Sequence, residues 1–276
     1  MNHDRALLRT ALLTSALFLA ACNSGGDTAS NPPPTASAAS DAAPAAVASA
    51  AAASPAAAGT AGTASDSGQG NRPPPPTGLP PGPTPQEGKD YLLIDTPDLP
   101  SGDKVQVTEV FGYGCPHCNA LQPHLAAWEK KLPSDVQFTY MPAAFGPGPA
   151  HCWDEFARGF YAMQAMGIPT EKFHDGVYKA VWAGAGFTGD CSVIPKVFSG
   201  FGVDAKTFSA TAQSFAITAK VGQAHDQILR WGIDSTPTII VDGKYRVLEQ
   251  VDSGPDGMLH TIEWLIAKQR PAHAKH

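Results

Sequence analysis

Two cysteines held two residues apart, Cys115-Pro116-His117-Cys118, constrain this chain more than any other feature, because thiols at that spacing can close a disulfide with each other and reopen it. Ahead of the pair, Val105 to Phe111 is β-branched and alternating; behind it, Asn119 to Lys131 is rich in helix formers. A strand therefore hands over to a helix at the pair, with Cys115 at or near the helix N-terminus. There the unpaired backbone N–H groups and the positive end of the helix dipole favour a thiolate over a thiol. Cys115 is expected to be a reactive sulfur of low pKa.

The formal net charge is -6 over 276 residues and no stretch is strongly basic, which argues against a nucleic-acid partner. At the N-terminus, His3, Arg5 and Arg9 precede the apolar run Ala11 to Ala21, too short to span a bilayer but long enough for the core of an export signal. The run ends in Leu19-Ala20-Ala21-Cys22, which resembles the bacterial lipobox. That resemblance implies removal of residues 1–21, lipidation of Cys22 and anchoring to a membrane. Asn23 in place of Asp implies the outer membrane rather than the inner. The alternative is a plain secretory signal with an incidental cysteine, although cutting after Ala21 would put Leu19 where ordinary signal peptidase needs a small residue.

Residues 22–85 are almost entirely Ala, Ser, Pro, Gly and Thr, with too little large apolar surface to offset the entropy of ordering. They are expected to form a disordered tether. A flexible chain of about 60 residues has a root-mean-square span of about 40 to 45 Å, and Pro32–Pro34 and Pro73–Pro76 should stiffen it.

From Gln86 the chain acquires aromatics and periodicity, enough for one sizeable core. Tyr91 to Asp95, Lys104 to Phe111 and Asp135 to Met141 read as strands, with the helix from Cys115 to Lys131 completing a βαβ unit. A helical block follows, with apolar residues at helical spacing: Trp153, Phe156, Phe160 and Met163; then Phe173, Val177 and Val181; later Ile217, Val221, Ala224, Ile228 and Trp231. Pro237 to Val241 and Lys244 to Leu248 read as a hairpin around Asp242-Gly243. A last helix, started by Pro255, carries Met258, Leu259, Ile262, Leu265 and Ile266 on one face.

That element order, with Phe111-Gly112-Tyr113-Gly114-Cys115-Pro116-His117-Cys118 and the later Ser235-Thr236-Pro237-Thr238, resembles the DsbA-type thiol:disulfide oxidoreductases of the bacterial periplasm. The resemblance implies an α/β thioredoxin-like fold with an inserted α-helical domain: residues 86–145 and 233–276 form the thioredoxin-like part and 146–232 the insert. It implies a dithiol oxidase that gives its Cys115–Cys118 disulfide to reduced exported proteins. A quinone-linked membrane oxidase of the DsbB kind would reoxidise it. A monomer is expected, with no cofactor and no metal. Pro116 and His117 are the residues between the thiols, and the ring of His117 can stabilise the Cys115 thiolate further.

By the same resemblance, Thr236 and Pro237 match a cis-proline loop that lies against the disulfide and offers backbone groups to an extended substrate. The alternative is an ordinary trans proline starting a strand. Glu109 shares the strand face of Val105, Val107 and Phe111, which places a carboxylate on an apolar face unless it is a solvated strand residue. In the family, a buried acid there assists proton transfer. The acidic and lysine positions common in that family are occupied here by Gln122 and Thr139, so proton handling is expected to rest more heavily on Glu109.

With Cys22 lipidated and Cys115 paired with Cys118, two thiols remain in an exported protein, Cys152 and Cys191. They are expected to form a structural disulfide in the helical block, two separate buried thiols being the alternative. Competing functions are a disulfide reductase or isomerase of the same fold, a chaperone-like module without redox chemistry, and a zinc-binding module. For zinc, half of the usual ligand set is missing.

Overall fold

The computed structural model describes residues 72–95, 97–98, 102–146, 151–249 and 254–273. The export signal, Cys22 and the tether up to residue 71 lie outside the described residues. The folded contacts begin earlier than Gln86, where the sequence reading starts the domain. The Arg72 guanidinium donates to the Val136 carbonyl (3.2 Å), Ser134 N–H to the Pro73 carbonyl (3.1 Å) and the His260 ring to the Pro83 carbonyl (2.8 Å). A proline-rich segment has no apolar periodicity to announce such docking, since it is held by polar contacts through one guanidinium and two proline carbonyls.

Five strands form one sheet: β1 (Tyr91–Leu93), β2 (Val105–Phe111), β3 (Val136–Pro142), β4 (Thr238–Val241) and β5 (Tyr245–Val247), in the order β1-β5-β4-β2-β3. Only β2 and β3 run parallel, joined by the crossover helix α1 (Pro116–Glu129). The β4–β5 hairpin turns on Asp242 and Gly243, both at positive φ (56° and 60°), the backbone that a two-residue turn of matching twist requires.

Alternation along β2 sorts its side chains to two faces. Val105 and Val107 meet Leu121, Leu125 and Trp128 of α1, together with Met258, Ile262, Leu265 and Ile266 of α7 (Gly254–His273). Val110, on the opposite face, packs with Ile228 and Trp231 at the end of α6 (Phe215–Arg230). Helix α7 runs well past Ile266, the last apolar residue of its sequence stripe.

Between β3 and β4 lie α2 (Trp153–Ala165), α3 (Thr170–Val181), α4 (Ile194–Ser199), α5 (Ala205–Ala212) and α6. Helices α4 and α5 escape sequence reading because six and eight residues are too few to establish a period. Phe156, Phe160, Phe173 and Phe198 fill the core of this block, and Phe111 and Tyr113 extend into it from the end of β2. Phe111 meets Tyr113, Phe160 and His174 edge-on, with centroids 5.0, 5.5 and 4.7 Å apart. The helical core and the strand that delivers the thiols are thus one continuous packing unit.

Cys152, immediately before α2, is joined by a disulfide to Cys191, which opens the short 3-10 turn leading into α4, with Cα atoms 5.6 Å apart. By the chain-entropy argument a loop of this length contributes about 4 kcal/mol. Replacing both cysteines with Ala is predicted to lower the thermal midpoint by roughly 10 °C, measured by calorimetry. An unchanged midpoint would show that the bridge adds nothing to the fold.

Candidate active site

Strand β2 ends at Phe111, and Gly112-Tyr113-Gly114 carries the chain to α1. Both glycines are required by close approach. A Cβ on Gly112 would strike the Trp153 ring, and one on Gly114 would lie 2.7 Å from the His151 carbonyl. Cys115 caps α1, and its Sγ accepts from the Cys118 backbone N–H at 3.5 Å. Pro116 takes the first helical position, where a missing N–H costs nothing.

The two sulfurs, both thiols here, differ sharply. Cys115 is 5% exposed and opens onto a groove of about 590 Å³. Its pKa is held down to about 5 by the hydrogen bond from the Cys118 thiol, then by the Thr236 side chain and by the Cys118 and His117 backbone N–H groups, with burial opposing. As a thiol, Cys115 donates to the Thr236 carbonyl at 3.4 Å. A thiolate cannot, so the buried Thr236 hydroxyl, which has no other hydrogen-bond partner, is the donor on that side once Cys115 ionises. Cys118 is fully buried and its pKa is pushed well up, first by burial and then by the hydrogen bond to Cys115.

The Thr236–Pro237 peptide bond is cis, and Thr236 stands against Cys115. His117 is 63% exposed at its side chain, with Nδ1 3.1 Å from Glu249 Oε1. The Glu249 carboxylate raises its pKa, favouring the protonated ring next to Cys115.

Beneath the thiols, Glu109 is 0% exposed and neither carboxyl oxygen has a hydrogen-bond partner. Its pKa is pushed up to about 8 by burial, then by the charges of Glu129 and Cys115. Sequence reasoning missed Glu129 because it lies on α1 and reaches this region only through the fold. The β2–β3 register sets Glu109 beside Tyr140, whose hydroxyl donates to Glu129 at 2.8 Å.

Gln122 and Thr139, where the family's charged groups are replaced, are bound within polar pairs. Thr139 meets Thr108 at 3.0 Å. Gln122 donates to Asp175 at 2.8 Å, so its carbonyl oxygen is left to accept from His174 Nε2 at 3.3 Å. That fixes the His174 tautomer: Nδ1 accepts from the Tyr113 hydroxyl at 2.8 Å. Burial pushes the His174 pKa down to about 3, so the ring is neutral.

Three further residues, Phe145, His151 and Trp153, pack together and line the groove with Asp234, Ser235 and Thr236. No local pattern marks them, because they reach the thiols from other elements.

The geometry is that of a dithiol exchange centre. Residues 106–256 match the DSBA-like thioredoxin domain family. The chain belongs to that family. It is 32% identical over 189 residues to the thiol:disulfide interchange protein DsbA of Pseudomonas aeruginosa, covering 68% of this chain and 87% of that protein. To DsbA of Pseudomonas syringae pv. tomato it is 35% identical over 188 residues, covering 68% and 86%. The crystal structure of P. aeruginosa DsbA superposes with a TM-score of 0.60 at 33% identity, over 69% of this chain and 97% of that one. The oxidoreductase NmDsbA3 of Neisseria meningitidis gives 0.55 at 34%, over 68% and 99%. The protein is a thiol:disulfide oxidoreductase with the DsbA-like thioredoxin fold.

Family membership makes the buried carboxyl testable through stability. With its folded pKa raised from 4.5 to about 8, Glu109 costs the fold nothing below about pH 4.5 and progressively more as pH rises to about 8. Glu109→Gln is therefore predicted to leave the urea midpoint of the oxidised protein unchanged at pH 4.5 and to raise it at pH 8.5, by an amount of order a few kcal/mol. A variant less stable than wild type at pH 8.5 would contradict the assignment.

Proposed function

We propose that the chain is a dithiol oxidase that passes the disulfide of Cys115 and Cys118 to reduced exported proteins in the bacterial periplasm. The observation that carries this reading is the opposite displacement of the two thiols, Cys115 down to about 5 and Cys118 well up. A substrate thiolate attacks Cys115 Sγ, and the electron pair of the broken bond leaves on Cys118. The substrate's second thiol then attacks the mixed disulfide and expels Cys115, which the fold holds as a thiolate. Stabilising the reduced form in this way makes the oxidised form a strong oxidant.

Cys118 departs into a buried site where its charge is disfavoured, so it needs a proton at once. Glu109, buried nearby and pushed up to about 8, still carries one at neutral pH. The Glu249 carboxylate raises the His117 pKa and so favours positive charge beside Cys115. Pro116 starts the helix with no N–H to satisfy. Thr236 and Pro237 form the platform along which an extended substrate lies, pairing with backbone groups. The Cys152–Cys191 bridge is structural: Cys152 is fully buried, away from solvent thiols.

Residues 1–21 act as a lipoprotein signal, Cys22 carries the lipid that holds the protein to a membrane, the outer rather than the inner, and the chain up to residue 71 is the tether. The thioredoxin-like parts span 86–145 and 233–276, flanking the insert at 146–232. Reoxidation falls to a quinone-linked membrane oxidase of the DsbB kind, and the working form is a monomer.

Cys115→Ser is expected to abolish oxidation of a reduced substrate protein, whereas Cys118→Ala should accumulate mixed disulfides, both read on non-reducing gels. Trapping by the Cys115 variant instead would reverse the roles.

A second test uses the linkage between ionisation and folding. Because the folded pKa of Cys115 lies below its usual 9.0, its stabilisation of the reduced protein is complete above about pH 9 and lost as pH falls through about 5. At pH 7 it amounts to about 3 kcal/mol. Urea midpoints of the reduced protein should exceed those of the oxidised protein by a margin that grows from pH 5 to pH 9, most of the Glu109 contribution cancelling between the two forms. A constant or reversed difference would point to a reductase.

A further inference from the structure

His151 has no part in the steps above, yet it stands in the wall of the Cys115 groove. Its Nδ1 lies 3.0 Å from the Gly114 carbonyl oxygen. A carbonyl only accepts, so Nδ1 carries a hydrogen, and in the neutral ring Nε2 is left as the lone-pair nitrogen. The ring is held in place. It packs on Trp153 with centroids 4.8 Å apart, Trp153 packs on Phe145 at 5.1 Å, and the next residue, Cys152, is tied down by its disulfide.

The geometry points to His151 as the general base of the first exchange step, Nε2 taking the proton of the incoming substrate thiol as that sulfur attacks Cys115. The S–H bond breaks toward Nε2, a bond forms between the substrate sulfur and Cys115 Sγ, and the Cys115–Cys118 bond breaks with its electron pair on Cys118. Cys118 takes the proton of Glu109, and the imidazolium gives its own to solvent. The enzyme disulfide is the oxidant, so nothing further is consumed. This role rests on the oxidase reading, in which the substrate arrives as a thiol.

The titratable groups lining the groove with His151 are Cys115 and His117 from the start of α1 and Asp234 from the loop before Pro237; Asp154 and Glu155 follow in the first turn of α2. His117 is the rival base. Its Nδ1 is engaged by Glu249, which favours the protonated ring and so makes His117 the poorer acceptor of a proton. The possible gain is bounded: an ordinary cysteine thiol is a few per cent ionised at pH 7, so a base can contribute at most about thirty-fold.

The test measures, by rapid mixing, the second-order rate at which thiols reduce the oxidised full-length protein. His151→Asn keeps an amide N–H for the Gly114 carbonyl and removes the base; His151→Gln serves as a second variant in case the first folds poorly. With a reduced cysteine peptide at pH 7, both variants should lose about ten-fold in rate. The deficit should vanish above the peptide thiol's pKa, and it should be absent at pH 7 for thionitrobenzoate, which arrives already ionised. An equal deficit for both thiols at every pH, or none at all, would overturn the role. Failure of the oxidase reading would show separately, in the wild-type equilibrium with a substrate dithiol, because the ratio of variant to wild-type rates reports the base alone.

Discussion

Cys115 as the cap of helix α1 is the interaction on which the rest of the structure depends. One sulfur stands where a side chain normally supplies an acceptor for unpaired backbone N–H groups, and the Cys118 N–H points at it from 3.5 Å. A thiolate satisfies those donors better than a thiol, and the neighbouring Cys118 thiol adds a further hydrogen bond. Closing the disulfide removes the charge and with it this stabilisation. The fold therefore favours the reduced state of its own active site, which is the condition for giving a disulfide away.

Everything around the pair sharpens the difference between two chemically identical thiols. Cys118 is shut into the aromatic core shared by the end of β2 and the helical insert, where no charge is welcome. Glu109 sits under the same core with no hydrogen bond, so it holds its proton far above the ordinary carboxyl range. The insert thus has two roles. It buries the sulfur that must remain neutral, and through Trp153 and His151 it walls the groove before the sulfur that must react.

Local signals in the sequence carried the parts of this arrangement that depend on neighbours in the chain. The alternation of Val105 to Phe111 placed Glu109 inward, Asp242-Gly243 marked the hairpin, and Cys115 fell at the helix start because a strand ended just before it. What was illegible depends on distant parts of the chain. Gly112 and Gly114 look like ordinary turn glycines until Trp153 and the His151 carbonyl are seen against them. Glu129 looks like a surface helix residue until Tyr140 reaches it from β3. The 72–85 segment reads as tether because the carbonyls of Pro73 and Pro83 and a single guanidinium, Arg72, hold it without any apolar pattern.

The reduced fold holds Cys115 as a thiolate, and the most direct measurement of this is a pH titration of thiolate ultraviolet absorbance in the reduced protein against Cys115→Ser. The account predicts one ionisation centred at about pH 5, lost in the variant. A midpoint near 9.0, the ordinary value for a cysteine, would contradict it.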